Sequence, residues 1–491
     1  MTEAIYRTQA ARINEAIGCR NPVLGITWKP WGDADYHISH VDVVMALENP
    51  RVAAGGNLVS LWVNVASIPC SEMTSQGLRA RDAQGELALE SVVEKDSYGF
   101  DIRRWRPLRA THGHVVLTYR FLPRIVPEDY RFRPYYDFRT EPFGATCAGV
   151  SSLVVPSDGT YDIHIQWDLS QMPPDTTAMT VAGEGDVRYT GKPSDYQFTL
   201  YAVGKLKKKV SEDGRFRVYW LNEPLPDAQA VLDGIPKILK GMADFFEDPA
   251  ILYTVLFRKD PFRMSNGATA YSKGFIYGYS DEKPLRLKRA LDIFAHEVVH
   301  TWPRLEDKAG EGTWYHEGTA ELYSILIPYR LGLLNLGDVA ETLGWRGLNY
   351  YNNPHNGKSN TEVYPLYWGD RKAQALPYGR GFFYLVDADM RIRQRSGGIH
   401  SVDDLVLETL RRARAGKNVT NADWRELICA ELGDEAGAHF DAVCQGTMVE
   451  PCDDWFGGAF KVSRGRVFEP VREFDETGYV WTPVSGHPVK L

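Results

Sequence analysis

Two spacings of apolar residues within one chain predict a multidomain α+β protein, β-rich in its N-terminal part and mainly helical beyond it. Before about residue 205, Tyr161, Ile163, Ile165, Trp167 and Leu169 recur at every second position. After it, Val231, Ile235, Ile238, Leu239, Met242 and Phe245 recur at helical spacing. Length is the third observation: 491 residues exceed the roughly 100–200 of a single domain.

Residues 1–205 are expected to form a β-sandwich-like domain. The run 115–121 alternates over its second half and the run 161–169 throughout, which marks strands with one buried face. Clusters such as Pro156, Ser157, Asp158 and Gly159 separate such runs. Residues 206–455 form the second expected domain, with the junction at 205–212. A helix is expected over 226–246 and a buried strand over 251–257. Further helices are expected near 283–302, 314–331, 378–396, 401–414 and 421–432. The polar and aromatic tract 349–368 has no clear period and reads as a long loop, a lid or binding wall. Residues 456–491 mix Gly, Pro and Val and read as a C-terminal extension.

Composition narrows the partners. Apolar residues make up 44% and charged residues 24%, ordinary for a folded soluble protein. A formal charge of −8 disfavours nucleic acid and anionic membranes. Lys205, Lys207, Lys208 and Lys209 read as a solvated turn. No stretch approaches the ~18 apolar residues of a membrane span, and the N-terminus lacks the apolar core of a secretory signal. Membrane insertion is therefore not expected, and a cytoplasmic location is. Six cysteines without a CxxC pair suit a reducing compartment.

The chemistry concentrates in His296, Glu297, Val298, Val299 and His300. Leu291, Phe294, Ala295, Val298 and Val299 give the surrounding helix a buried face. Two histidines four apart lie one turn above the other and can grip one metal ion, with Glu297 placed to reach its water. Zinc is the cofactor this pattern predicts. A third ligand six residues on is excluded, because position 306 is Glu306 and Pro303 occupies the glycine position. The charged, Gly-bearing loop 304–312 can turn the chain back so that Glu317, or its neighbour His316, reaches the pair. Glu321, one turn beyond Glu317, is placed to orient His296 or His300. Asp33, Asp35, His37 and His40 read as surface decoration, and His112 and His114 as a strand end.

HEVVHTW followed by WYHEGTAELY resembles the gluzincin metallopeptidases, and within them most of all the glycyl aminopeptidase family, which is related to the leukotriene hydrolase branch. Tyr378-Gly379-Arg380-Gly381 matches a YxKG segment, and Gly397-Gly398 to Asp403-Asp404 a GGxxSLDD segment. Phe440-Asp441 and Gly446-Thr447 match a closing FD…GT signature. The resemblance spans roughly 100–460 and implies an N-terminal β-domain and a thermolysin-like catalytic domain. It implies zinc ligands His296, His300 and Glu317, with Glu297 as general base and the Tyr378 hydroxyl as donor to the oxyanion. Arg380 stands where the family has lysine. Asn266-Gly267-Ala268-Thr269-Ala270-Tyr271-Ser272 carries no glutamate, so the charge partner for a free substrate amine is missing there.

The expectation is a zinc-dependent, peptidase-like hydrolase in which activated water attacks an amide carbonyl of a peptide or small-molecule substrate. A non-peptide electrophile such as an epoxide, or an inactive metal-binding scaffold, are the alternatives.

Overall fold

A computed structural model describes residues 3–15, 21–66, 68–71, 77–96, 99–126, 134–223, 228–260, 267–280, 287–308, 310–469 and 474–484. The chain forms two compact units, residues 1–228 with 251–285 and residues 229–250 with 286–491.

The first unit is built on sheets. A seven-stranded sheet runs in the order Val187–Gly191, Tyr161–Trp167, Val23–Gly32, Ile38–Leu47, Val115–Phe121, Arg79–Asp82, Gly85–Leu87. The expected strands 115–121 and 161–169 both lie in it. A five-stranded antiparallel sheet contains Gly144–Ala148, Leu200–Gly204 and Thr177–Thr180. The two sheets share one apolar cluster: Leu24, Ile26, Trp28, Met45 and Ile165 from the first meet Cys147, Tyr201 and Val203 from the second. Helix α1 (Glu3–Glu15) packs Ile13 against Val23, Ala46 and Val116. The short α2 (Pro193–Gln197) precedes Leu200–Gly204.

A third sheet lies beyond the expected junction. It runs Lys207–Val210, Phe216–Trp220, Tyr253–Lys259, Gly274–Tyr279, Gly267–Tyr271. Its three middle strands are parallel, and Tyr253–Lys259 is buried at all but its last position, as expected for a strand covered on both faces. The change of composition at 205–212 falls within the first unit, which continues to Ala228 and resumes at Ile251. Lys207–Val210 is an edge strand rather than a turn, with Lys207 and Lys208 paired to Glu223 and Glu184.

The second unit is helical. After α3 (Ala228–Phe245) come α4 (Leu287–Val299), α5 (Thr313–Arg330), α6 (Leu336–Tyr351), α7 (Asn360–Val363), α8 (Arg371–Ser396), α9 (Val402–Arg414), α10 (Asn421–Leu432) and α11 (Asp434–Cys444). Residues 224–227 and 281–286, where the expected helices at 226 and 283 begin, lie outside the described residues. Helix α8 starts seven residues before its expected beginning, because the chain continues helical through Pro377. Asp370 caps its first amides and Gly397, at φ 66°, ends it. The tract 349–368 is not a loop: it closes α6, forms α7 behind a Ser359–Glu362 capping box, and makes a 3₁₀ turn at Tyr364–Leu366. The C-terminal residues form an antiparallel hairpin, Phe460–Glu469 with Phe474–Pro483, laid on α6. Among the described residues no helix is long and apolar enough to cross a membrane.

Candidate metal centre

Helices α4, α5 and α8 bring the site together. Helix α4 carries His296 and ends at Val299, and His300, the residue that follows, lies one turn beyond His296. After a turn at Thr301 and Trp302 the chain reaches α5, which delivers Glu317. Trp302 anchors the turn by stacking on Phe246 at 4.8 Å and donating to Asp248 at 3.1 Å. Trp314 and Tyr315 lie in the core against Trp424, so packing accounts for all three aromatics.

His296 Nε2 and His300 Nε2 are 3.1 Å apart, and Glu317 Oε2 is 3.3 Å from the first and 3.5 Å from the second. Among the described residues this is the one group of three or more His, Cys, Asp or Glu whose ligand atoms converge. Zinc bonds of ~2.0–2.1 Å at tetrahedral angles require ligand atoms roughly 3.3 Å apart, so the triangle fits that ion. The set of two imidazoles and one carboxylate leaves a fourth position open, as catalytic rather than structural sites do.

The two histidines are held differently. His296 Nδ1 lies 3.0 Å from Glu321 Oε1, and Glu321 in turn pairs with Arg346. Arg346, buried on α6, also donates to the Glu321 carbonyl at 2.6 Å, to Asp292 at 2.8 Å and to Ser324 at 2.9 Å. Burial opposes a charge on His296, but the Glu317 and Glu321 carboxylates outweigh it and raise its pKa to about 10. Burial likewise opposes ionisation of Glu317, yet His300 and His296 pull its carboxyl well below the usual range. His316, the rival ligand, stacks on His300 at 4.1 Å instead of joining the triangle. Burial, with the nearby His300, drives its pKa down to about 3.

Glu297 lies beside His296 on α4, partly exposed. The Tyr378 ring stacks on His296, with centroids 5.6 Å apart and planes 7° from parallel. Burial, then Glu317, Tyr367 and Glu297, push the Tyr378 phenol far above its ordinary value, so it carries its proton and can donate. Tyr367 brings its hydroxyl to 3.4 Å from Glu317 Oε1. Arg380 faces away from this chemistry. It is fully buried and donates to Asn360 Oδ1 at 2.6 Å and to the carbonyls of Asn356 and Lys358 at 3.0 and 2.6 Å, which fastens the segment leading to Tyr367.

Glu321, Arg346 and Tyr367 complete the site. The position of Glu321, one turn after Glu317, was readable from spacing; Arg346 and Tyr367 arrive from other elements and carry no local pattern. The remaining candidates are dispersed. Asp33 Oδ1 accepts the amides of Asp35 and His37 in an exposed turn, and His40 stacks on Trp31. His112 and His114 precede the strand Val115–Phe121 and join no ligand cluster.

No family model and no curated protein matches the chain by sequence. Solved structures do match in fold. An aminopeptidase N family protein from Idiomarina loihiensis superposes with a TM-score of 0.67 at 14% identity, covering 90% of this chain and 79% of that one. A two-domain M1 zinc metallopeptidase, solved as a glutamate-to-alanine variant bound to L-arginine, gives 0.54 at 15% identity over 88% and 96%. The M1 zinc metallopeptidase from Deinococcus radiodurans gives 0.51 at 16% identity over 88% and 94%. In fold, this chain is similar to the M1 zinc metallopeptidases and aminopeptidase N family proteins.

Proposed function

We propose that this protein is a zinc-dependent hydrolase of the metallopeptidase kind, acting on an amide bond of a peptide. The observation that carries the reading is the triangle of His296 Nε2, His300 Nε2 and Glu317 Oε2, with edges of 3.1, 3.3 and 3.5 Å. In this reading the second unit is a thermolysin-like catalytic domain and the two sheets that share a core in the first unit form a β-sandwich. His296, His300 and Glu317 would hold the ion, which when bound supplies a positive charge that acidifies water and polarises a carbonyl.

The chain's own residues then have distinct tasks. Glu297 takes a proton from the attacking water and returns it to the departing amine. Tyr378 donates its phenolic hydrogen to the carbonyl oxygen as negative charge develops there. Glu321 fixes the ring of His296 through Nδ1, and Arg346 pairs with Glu321 and holds it in its buried position. The L-arginine bound to the M1 zinc metallopeptidase of similar fold supports a substrate bearing an amino-acid unit. The absence of a glutamate from 267–272 favours a substrate not held through a free amine there. Cys70, Cys147, Cys429, Cys444 and Cys452 are free thiols, which supports a cytoplasmic setting.

Metal analysis with the Glu297→Gln variant tests the reading. The wild type should carry one zinc per chain and hydrolyse members of a blocked and unblocked peptide panel. Glu297→Gln should keep the zinc and lose roughly 10²–10⁴-fold in turnover. Wild-type protein that takes up no zinc, or a variant with undiminished turnover, would sink it.

A further inference from the structure

We infer that His316 is a positioning residue for the metal ligand His300, clamping its ring by stacking where no hydrogen bond does so. The inference rests on the zinc reading above and goes beyond it by assigning a task to a residue outside the ligand set.

A ligand imidazole must present one nitrogen at a fixed angle, so its ring must be kept from turning. The usual means is an acceptor on the other ring nitrogen. His296 has one, in Glu321 Oε1 at 3.0 Å from its Nδ1. His300 has none: its Nδ1 is buried without a hydrogen-bond partner. Left so, the ring of His300 would be free to rotate away from the triangle.

What touches His300 instead is a flat ring on its face. The His316 imidazole lies 4.1 Å from that of His300, with planes 25° apart. On its other flank His300 meets the edge of His296, at 4.7 Å and 86°. The clamp is itself held. His316 Nδ1 is 3.4 Å from the Pro303 carbonyl, in the segment that follows α4, and the next residue along α5 is the ligand Glu317. One helix thus supplies both a ligand and the support for another. His316 is not a fourth ligand in this arrangement, because its nitrogens do not converge with the other three donor atoms.

The test compares His316→Phe, which keeps a flat ring, with His316→Leu, which keeps bulk but cannot stack. Zinc affinity is read by competition with a chromophoric chelator, and the melting temperature of each chelator-stripped protein reports its fold. His316→Leu should bind zinc about 10-fold more weakly, and His316→Phe within about twofold of wild type. Equal affinities of Leu and Phe variants would overturn the inference, whether both are normal or both weak. Should the Leu variant not fold, the Phe variant decides: a tenfold loss there overturns stacking as the cause, and retained affinity supports it. Wild-type protein that binds no zinc would mark failure of the metal reading itself, a different result from wild-type binding that is indifferent to position 316.

Discussion

Gly318 on α5 and Gly381 on α8 meet backbone to backbone: a Cβ added to Gly318 would fall 2.5 Å from the Gly381 Cα, and one added to Gly381 would strike the Trp314 carbonyl. Each glycine stands next to a functional stretch, Gly318 directly after Glu317 and Gly381 three residues after Tyr378. The pair sets how closely α5, which carries Glu317, approaches α8, which carries Tyr378. Gly318→Ala and Gly381→Ala should therefore both destabilise the protein, by about 1–3 kcal/mol or more, because backbone rather than a flexible side chain must yield. The helix-propensity gain of about 1 kcal/mol that alanine brings elsewhere works in the opposite direction and should be swamped. Urea unfolding would measure this; a stabilised variant would refute the close-contact account.

Arg346 is the one cation that touches Asp292 on α4 and Glu321 on α5 among the ion pairs of the described residues. It is 3% exposed in its side chain. Arg346→Met should cost about 3–5 kcal/mol, since it takes the guanidinium away from the buried Glu321 carboxylate and from Asp292. Arg346→Lys should not rescue, because an ammonium cannot reproduce contacts to two carboxylates, a carbonyl and a hydroxyl. Chemical denaturation would give the stability, and zinc titration should show weakened binding in the Arg346→Met variant as Glu321 loses its support. A double variant Arg346→Met with Glu321→Gln should recover part of the stability, which separates the stranded charge from lost packing.

Local signals account for what was legible in the sequence. Helices α9 and α10 announce themselves through Ser401–Asp404 and Thr420–Asp423 capping boxes, and α8 through the Gly397 stop. The start of α8 was obscured by Pro377, which reads as a breaker but is carried within the helix. Helix α6 was missed although Asn335 and Asp338 frame its start. Gly344 and Gly347 dilute its pattern, and their purpose is tertiary: they make room for Val467 and Trp481 of the C-terminal hairpin. Helix α11 was missed because only Gly433, at φ 90°, parts it from α10. At the site, the spacing within α4 and α5 placed His296, His300, Glu317 and Glu321 in register. Arg346 and Tyr367 come from α6 and from beyond α7, so their arrival depends on packing that no short motif encodes.

Glu141 offers a pH-dependent test in the first unit. Its Oε2 accepts from Asn222 at 2.9 Å and from the Lys259 amide at 3.0 Å, while Oε1 is enclosed without a partner even though the residue is partly exposed elsewhere. Burial raises its pKa from 4.5 to about 7, against the pull of the Lys259 amide, Arg258 and Asn222. The folded protein therefore holds this proton where the unfolded chain has released it. The stabilisation is fully present below the unfolded value and is lost as pH rises through about 7. Glu141→Gln, which keeps an acceptor for both donors, should flatten that slope and be the more stable protein above neutrality, by about 1–3 kcal/mol. Thermal melts at intervals from pH 5 to 8.5 would show it. Parallel profiles for the two proteins would contradict the assigned shift.

The two oxygens of Glu317 are divided between partners, and the division separates the tasks of two tyrosines. Oε2 faces His296 and His300, at 3.3 and 3.5 Å, while Oε1 receives Tyr367 at 3.4 Å. A carboxylate tethered in this way offers one oxygen to an ion and keeps the other turned aside. In the proposed mechanism Tyr378, stacked on His296, is left to act on the substrate. Tyr378→Phe should then lower kcat by about 10²–10³-fold with zinc affinity unchanged, the signature of a donor used as charge develops. Tyr367→Phe should weaken zinc binding about fivefold, the loss of one modest hydrogen bond of about 1 kcal/mol, and should lower kcat less than Tyr378→Phe does. Chelator competition and steady-state kinetics on the same preparations would separate the two. Equal effects of both variants on zinc affinity would place Tyr378 among the supports of Glu317 and remove it from the reaction.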